Sequence, residues 1–250
     1  MKDLREIKVL ILVGGLGTRL RSIVKELPKP MAPIGGRPFL YYKVKQLKRQ
    51  GLEEIIFCSG YKHELIENYF GDGSDFGVHI SYSIEENPLG TAGAIKNAKN
   101  LLNDDPFFVL NGDTYLDVNL KDIYNNMIKK NAEHCMLLAV HHRRGHEGVV
   151  LVDKNLKIVG FIEKPDREQL IKLDSPYING GIYLLSPEIL KEIPEGVKVS
   201  LEKDIFPEIA GPDSQFYGVP YPEDGYFIDI GVPENYRRFI NDVKNKIVQT

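Results

Sequence analysis

The sequence predicts an α/β fold in which helices cover both faces of a mostly parallel sheet. Over residues 1–133, apolar runs bounded by Gly, Pro and Asp alternate with amphipathic helical patterns. This alternation is typical of parallel strands joined by helical crossovers. The first run, KVLILV, breaks directly into a glycine-rich turn. With 42% apolar and 27% charged residues, the chain can also bury a substantial core.

The elements follow in chain order. Strands are predicted at 7–13, 54–59, 78–83, 107–111, 134–140, 157–162, 178–185 and 226–230. Helices are predicted at 37–49, 62–70, 91–102, 119–131, 186–193, 200–210 and 233–247. After residue 134 consecutive strands replace the alternation, which we interpret as an additional part built on the same sheet. The prediction is one domain, 1–250, with parts at about 1–133 and 134–232 and a C-terminal helix at 233–250.

Composition excludes several classes of partner. A net charge of -3 offers no basic surface for nucleic acid and no polybasic membrane anchor. The first apolar run ends at Val13 and is too short to span a membrane. The two cysteines, Cys58 and Cys135, lie in apolar stretches, which favours reduced thiols over a disulfide framework. We therefore expect a soluble, cytoplasmic protein.

The turn GGLGTRL at 14–20 is a candidate phosphate site, because glycines let backbone N–H groups approach phosphate oxygens. The dinucleotide fingerprint fails at Leu20, where a glycine is required, and the P-loop pattern is absent. Taken alone, the glycines are equally consistent with an ordinary turn. Arg19 and Lys29, the latter held between two prolines, favour a polyphosphate ligand, which needs several cationic donors at once.

Several further segments carry a resemblance to a known family. They are PKPM (28–31), LGTAGA (89–94), NGD (111–113), EKP (163–165), NGGIY (179–183) and YFIDIGVPENY (226–236). With GGLGTRL, they resemble the sugar-1-phosphate nucleotidylyltransferases, or NDP-sugar pyrophosphorylases, and most of all the short heptose-1-phosphate and mannose-1-phosphate guanylyltransferases. The hexapeptide repeat of a C-terminal left-handed β-helix is absent.

The resemblance implies a Rossmann-like α/β/α sandwich with a predominantly parallel mixed sheet, the nucleotide-diphospho-sugar transferase fold. Residues 1–133 would form its nucleotide-binding part and residues 134–232 a small sugar-binding part. The implied reaction joins an NTP to a sugar 1-phosphate, giving NDP-sugar and pyrophosphate, with Mg²⁺ as cofactor. The nucleophile is already an anion, so cations, metal and backbone N–H groups should dominate the site.

The resemblance also assigns roles to individual residues. Arg19, Lys29 and Lys164 would be catalytic, and Asp113 and Asp229 would hold the metal; taken alone, either aspartate reads equally well as a turn residue or helix cap. The nucleotide would be bound by Leu12, Gly14, Gly15, Gly17, Thr18, Arg19, Lys29, Glu85, Gly90 and Thr91. The sugar would be bound by Gly112, Gly148, Glu163, Lys164 and Asn179.

Glu85 favours GTP as the nucleotide. It lies five residues before Gly90, where uridylyl- and thymidylyltransferases of the family typically carry glutamine. A carboxylate offers only acceptors, and guanine presents adjacent N1–H and N2–H₂ donors. Glu86, the next residue, is the alternative base reader.

Other functions stay open. A metal-dependent glycosyltransferase would use NGDTYLD as its acidic motif, another family member would transfer UMP, dTMP or CMP, and a silent paralogue would only bind nucleotide sugar. Relatives often carry tyrosine where this chain has Glu147, so the sugar is not fixed. His141, His142 and His146 resemble a zinc cluster but are expected to form a polar strand end. Whether the chain self-associates is also open.

Overall fold

The computed structural model describes residues 3–15, 20, 24, 27–140, 148–166, 175 and 177–248. The predicted site residues Gly17, Thr18 and Arg19 lie outside the described residues. The three clustered histidines at 141, 142 and 146 lie outside them as well.

The elements can be given in chain order. The strands are β1 (Lys8–Leu12), β2 (Pro33–Ile34), β3 (Arg37–Pro38), β4 (Glu54–Ser59), β5 (His79–Ile84), β6 (Phe107–Asn111), β7 (Thr114–Leu116), β8 (His134–Val140), β9 (Val149–Val152), β10 (Ile158–Ile162), β11 (Tyr177–Leu185), β12 (Phe216–Pro220) and β13 (Phe227–Asp229). The α-helices are α1 (Phe39–Arg49), α2 (His63–Phe70), α3 (Gly90–Asn97), α4 (Leu120–Lys130), α5 (Phe206–Ile209) and α6 (Pro233–Lys244). Leu201–Ile205 forms a π-helical turn that leads into α5.

A mixed sheet of nine strands forms the centre of the fold, as predicted. Its first half is parallel, with β1 between β4 and β6 and with β5 beyond β4. Strand β11 runs antiparallel to β6 and pairs with β8 along its other edge, and β12 lies parallel to β8. The hairpin β9–β10 joins β11 at Ile178, on the same edge as β6 but past its carboxyl end.

Alternating side chains of the buried strands fill two cores, one on each face of the sheet. Val9 and Ile11 of β1 pack in the core under α1 and α4. Leu10, between them, packs in the opposite core under α3 and the 201–205 turn. A strand with apolar residues on both faces reads as a continuous hydrophobic run, and KVLILV is such a run. The layers therefore form an α/β/α sandwich.

The helix predicted over 37–49 begins later than expected. Arg37 and Pro38 pair with Pro33 and Ile34 as a two-stranded ribbon, and α1 begins at Phe39. The glycines between the strands have φ of 55° and 83°, the positive values that a two-residue hairpin turn of type I′ requires. The paired glycines therefore close a hairpin and do not open a helix.

Five other elements differ from the sequence prediction. The predicted 186–193 helix is a 3₁₀-helix, Pro187–Lys191, and the 91–102 helix gives way to a 3₁₀ turn after Asn97. Strands β7, β9 and β12 were not predicted from the sequence. No helix in the described part of the chain combines the length and the apolar character needed to cross a membrane.

His134, at the start of β8, should make stability depend on pH. It is buried, its Nδ1 accepts a hydrogen bond from the Ser186 backbone N–H, and burial lowers its pKa to about 4 from 6.5. The unfolded chain therefore binds more protons between pH 6.5 and 4, and stability is lost as the pH falls through that window. The loss attributable to this group is at most about 3 kcal/mol.

Urea unfolding at pH 7 and pH 4.5 measures this effect. We expect His134→Gln to lose less stability between the two values than the wild type, and the exposed His79→Gln to behave like the wild type. Equal pH dependence in all three proteins would contradict the assignment to His134.

Candidate active site

A cleft of about 430 Å³ opens at the carboxyl ends of the parallel strands β1, β4 and β6. The carboxyl-terminal ends of these strands contribute Leu12, Cys58 and Asn111 to its lining. Open α/β sheets usually bind ligands at this edge. The remaining lining residues are Val13, Gly14, Gly15, Lys29, Pro30, Glu85, Pro88, Gly90, Thr91, Ala94, Gly112, Asp113, Lys198, Glu202 and Gly231.

All predicted nucleotide residues that the structure describes line this cleft. They come from four segments and are Leu12, Gly14, Gly15, Lys29, Glu85, Gly90 and Thr91. Gly112, predicted on the sugar side, lines the same cleft at the end of β6. Its N–H donates to the Leu12 carbonyl at 3.0 Å, and a Cβ at this position would overlap that carbonyl. Glycine is therefore required for β1 and β6 to approach each other here.

Lys29 and two carboxylates form the charged centre of the cleft. Asp113 follows β6 and Asp229 ends β13, and the pairing of β13 with β7 brings them side by side. The Lys29 Nζ lies 2.5 Å from Asp113 Oδ2 and 3.4 Å from Asp229 Oδ1. Lys29 is only 8% exposed, on a 3₁₀ turn that Pro28 and Pro30 restrict. The structure thus brings three predicted residues together.

The electrostatics of this centre keep Asp113 ionised. Burial, the largest single effect, disfavours its charged form, but the Lys29 ammonium, with the Thr114 hydroxyl and Lys43, outweighs it and lowers the pKa of Asp113 below its ordinary value. Lys43 lies buried behind it and donates to the Thr114 carbonyl at 2.6 Å. Burial lowers the pKa of Lys43 to about 8, although Asp113 opposes this shift. Asp229 Oδ1 accepts the Gly231 N–H at 2.6 Å, which fixes its orientation.

Two carboxylates from neighbouring strand ends are a donor set suited to Mg²⁺, which prefers hard oxygen ligands and keeps several positions for water and substrate. Asp113 and Asp229 fit this description. Within the described residues, no group of three or more His, Cys, Asp or Glu side chains is close enough to hold a metal by itself. A metal at this pair would need substrate oxygens or water to complete its coordination.

Glu85 faces the glycine turn across the cleft. Its Oε2 accepts the Leu89 backbone N–H at 2.8 Å, and burial raises its pKa despite that hydrogen bond. A Cβ at Gly14 would lie 2.7 Å from Glu85 Oε1, so glycine keeps this oxygen accessible. Glu86 is exposed and is not among the lining residues. Of the two glutamates, Glu85 alone faces the cleft.

Three of the predicted sugar residues meet beside the cleft, at the start of β9. The Asn179 N–H donates to the Gly148 carbonyl at 2.9 Å, and a Cβ at Gly148 would lie 2.9 Å from Glu163 Oε2. Burial raises the pKa of Glu163, and the nearby Glu202 adds to the shift. Lys164 is exposed and outside the cleft lining, with a φ of 51° that is costly for a residue preceding proline.

Several lining residues were given no site role from the sequence, among them Lys198, Glu202 and Gly231. A Cβ at Gly231 would lie 2.5 Å from Lys29 Nζ, and this glycine falls within the segment YFIDIGVPENY. Nothing local distinguishes Glu202, because it lies in what reads as an ordinary helix. Its hydrogen bond to Thr91 spans 111 residues of sequence.

Comparison with known proteins agrees with this geometry. The family model described as nucleotidyl transferase matches residues 8–246. A D-glycero-alpha-D-manno-heptose 1-phosphate guanylyltransferase from Aneurinibacillus thermoaerophilus is 39% identical over 96% of this chain and 100% of its own length. One of the same description from Campylobacter jejuni is 40% identical over 93% of this chain and 98% of its own.

A solved structure shows the same fold. HddC from Yersinia pseudotuberculosis complexed with GMP-PN is similar with a TM-score of 0.79 and 32% identity, covering 95% of this chain and 99% of that protein. The fold, the position of the cleft and these likenesses together define the class. The chain belongs to the nucleotidyl transferase family.

Gly112 and Gly15 provide a matched test of the close approach in the cleft. Gly112→Ala should destabilise the protein by about 1–3 kcal/mol, because its Cβ would lie 2.9 Å from Val13 Cγ1 as well as overlap the Leu12 carbonyl. Gly15→Ala should leave stability within about 0.5 kcal/mol, because no atom of the described residues lies within 4 Å of the added Cβ. Midpoints of urea unfolding measure both. Equal midpoints would contradict the packing described for β1 and β6.

Proposed function

We propose that the protein transfers GMP from GTP to a manno-configured sugar 1-phosphate, D-glycero-α-D-manno-heptose 1-phosphate or mannose 1-phosphate, and releases pyrophosphate. The observation that carries this proposal is the Lys29 ammonium between Asp113 and Asp229, at the end of the cleft formed by the glycine turn. Family membership supports nucleotidyl transfer. The guanine and sugar assignments rest on Glu85 and on the likeness to the heptose guanylyltransferases.

In the proposed reaction a phosphate oxygen of the sugar 1-phosphate attacks the α-phosphorus of GTP. The new O–P bond forms as the bond to the β-phosphate oxygen breaks, and pyrophosphate leaves with that electron pair. The attacking oxygen is already anionic, so no general base is required. The protein's task is to hold two anions in line and to neutralise their charge.

The residues around Lys29 are suited to this task. The backbone of Gly14 and Gly15 would approach the triphosphate, and Arg19 and Lys164 would add cations on the pyrophosphate and sugar-phosphate sides. Asp113 and Asp229 would hold Mg²⁺, which when bound supplies further neutralisation of phosphate charge. Since the Lys29 ammonium pairs with both carboxylates, we infer that it turns toward the nucleotide phosphates when the metal binds.

The two parts of the domain would divide the substrates. Residues 1–133 would bind GTP, and residues 134–232 would bind the sugar through Gly148, Glu163 and Asn179. We also propose that the protein works in the cytoplasm, a view supported by free, buried thiols at Cys58 and Cys135.

The experiment that tests the function is pyrophosphate release with Mg²⁺, in which four NTPs are crossed with mannose, glucose, N-acetylglucosamine and heptose 1-phosphates. We expect release with GTP and a manno-configured sugar, and a loss of 10²-fold or more in Asp113→Ala, because metal and Lys29 both lose a partner. Asp122→Asn, an exposed substitution on α4, is the control. Nucleotide transfer without pyrophosphate release would instead indicate a glycosyltransferase.

Two matched variants test the assignment of the base. Glu85→Gln should lower kcat/KM for GTP by about 10- to 100-fold, because an amide donor then faces guanine donors, and should raise the relative rate with UTP or dTTP. Glu86→Gln should leave the NTP preference unchanged, since that side chain is exposed. If Glu86→Gln alters the preference and Glu85→Gln does not, the base reader is Glu86.

A further inference from the structure

Glu202 lies where the nucleotide part and the sugar part of the cleft meet. Ser200 caps the π-helical turn Leu201–Ile205, accepting the Lys203 N–H, and Glu202 lines the cleft from this turn. Single π-helical turns occur frequently at functional sites. Sequence analysis gave this residue no role, and the proposed reaction does not use it.

Glu202 lies between residues that are predicted to bind the nucleotide and residues that are predicted to bind the sugar. On one side its Oε2 accepts from Thr91 Oγ1 at 2.7 Å and from Ser200 Oγ at 2.8 Å. On the other side the Tyr183 hydroxyl accepts from Asn179 Nδ2 at 2.7 Å and lies near enough to the Glu202 carboxylate to feel its charge. Burial and this carboxylate both raise the pKa of Tyr183 well above its ordinary value, so its hydroxyl remains a donor.

The charge around Glu202 indicates which part of a ligand it would meet. Glu163 lies close enough for the two carboxylates to repel, and this repulsion adds to burial in raising the pKa of Glu163. Lys164 and Lys203 oppose this shift, but burial and the Glu202 charge outweigh them. Two carboxylates beside an amide accept hydrogen bonds from hydroxyl groups. The ammonium of Lys29 lies elsewhere in the same cleft, where it would attract phosphate. The cleft thus has a cationic phosphate region and an acceptor-rich hydroxyl region.

We propose that the Glu202 carboxylate accepts a hydrogen bond from a ring hydroxyl of the sugar 1-phosphate and thereby positions the sugar for attack. The proposal rests on the proposed function and deepens it. Hydrogen bonds from Thr91 and Ser200 hold the carboxylate in place, so that little side-chain entropy remains to be lost on binding. The same bonds link the orientation of the sugar to Thr91, on the nucleotide side.

The test compares wild type, Glu202→Gln and the exposed control Glu208→Gln on α5. We expect Glu202→Gln to raise the KM for mannose 1-phosphate by about 10- to 100-fold and to leave the KM for GTP within about twofold, because a bond to a charged acceptor is lost on the sugar side alone. Glu208→Gln should match the wild type. Equal increases in both KM values would assign Glu202 a structural role and overturn the proposal.

Deoxy analogues of mannose 1-phosphate, each lacking one ring hydroxyl, sharpen this test. The wild type should bind the analogue that lacks the contacted hydroxyl more weakly than it binds mannose 1-phosphate. Glu202→Gln should bind that analogue and mannose 1-phosphate with nearly equal affinity. An unchanged penalty in the variant for every analogue would overturn the proposal. Should Glu202→Gln fail to fold, Ser200→Ala removes one bond that holds the carboxylate and should raise the KM for mannose 1-phosphate in the same selective way.

Calorimetric binding of mannose 1-phosphate separates this proposal from the proposed function. A wild type that binds the sugar phosphate but releases no pyrophosphate with any NTP would contradict the function and leave Glu202 testable by affinity alone. Equal affinity in wild type and Glu202→Gln, or no binding by the wild type, would overturn the Glu202 proposal.

Discussion

The ammonium of Lys29 between the carboxylates of Asp113 and Asp229 is the contact on which the arrangement of the cleft depends. In the sequence, Lys29 lies 84 positions before Asp113 and 200 positions before Asp229. An ammonium that is only 8% exposed would be strongly unfavourable without opposite charges beside it. Its pairing therefore holds the 3₁₀ turn at Lys29–Met31, the end of β6 and the end of β13 in one place. The same pairing keeps Asp113 ionised.

The pairing of strands in the sheet then determines which residues lie next to this charged centre. Strand β11 pairs with β6 along one part of an edge and with β9 along the next part of the same edge. The start of β9 consequently lies just past the carboxyl end of β6, and Gly148 and Asn179 come next to the cleft. The positive φ of Gly181, 70°, accompanies the break in register between β11 and β8 at this level. The topology alone thus places the predicted sugar residues beside the nucleotide residues.

The sequence predicts the position of buried, regular strands, because their signal is local. The bounds 54–59, 107–111 and 134–140 are correct, because buried strands read as unbroken apolar runs. Strand β12 was missed because it is short, contains a glycine, ends in proline and gains its place only by pairing with the distant β8. In the site, by contrast, two residues can be recognised from the sequence: Lys29 because prolines flank it, and Asp113 because it follows a strand. Glu202 does not, since its environment is created by residues far away in the chain.

The distribution of charge along the cleft bears on why two anions could meet there in one orientation. A sugar 1-phosphate carries its charge at one end and only hydroxyl groups at the other. Lys29 would attract the charged end, and Glu163 with Glu202 would repel it while accepting hydroxyl donors. A reversed sugar would bring phosphate against two carboxylates and leave Lys29 facing hydroxyls. Orientation would therefore follow from electrostatics before any single hydrogen bond forms. The Glu202 carboxylate, held by Thr91 and Ser200, would then select among sugars that are already in the productive orientation.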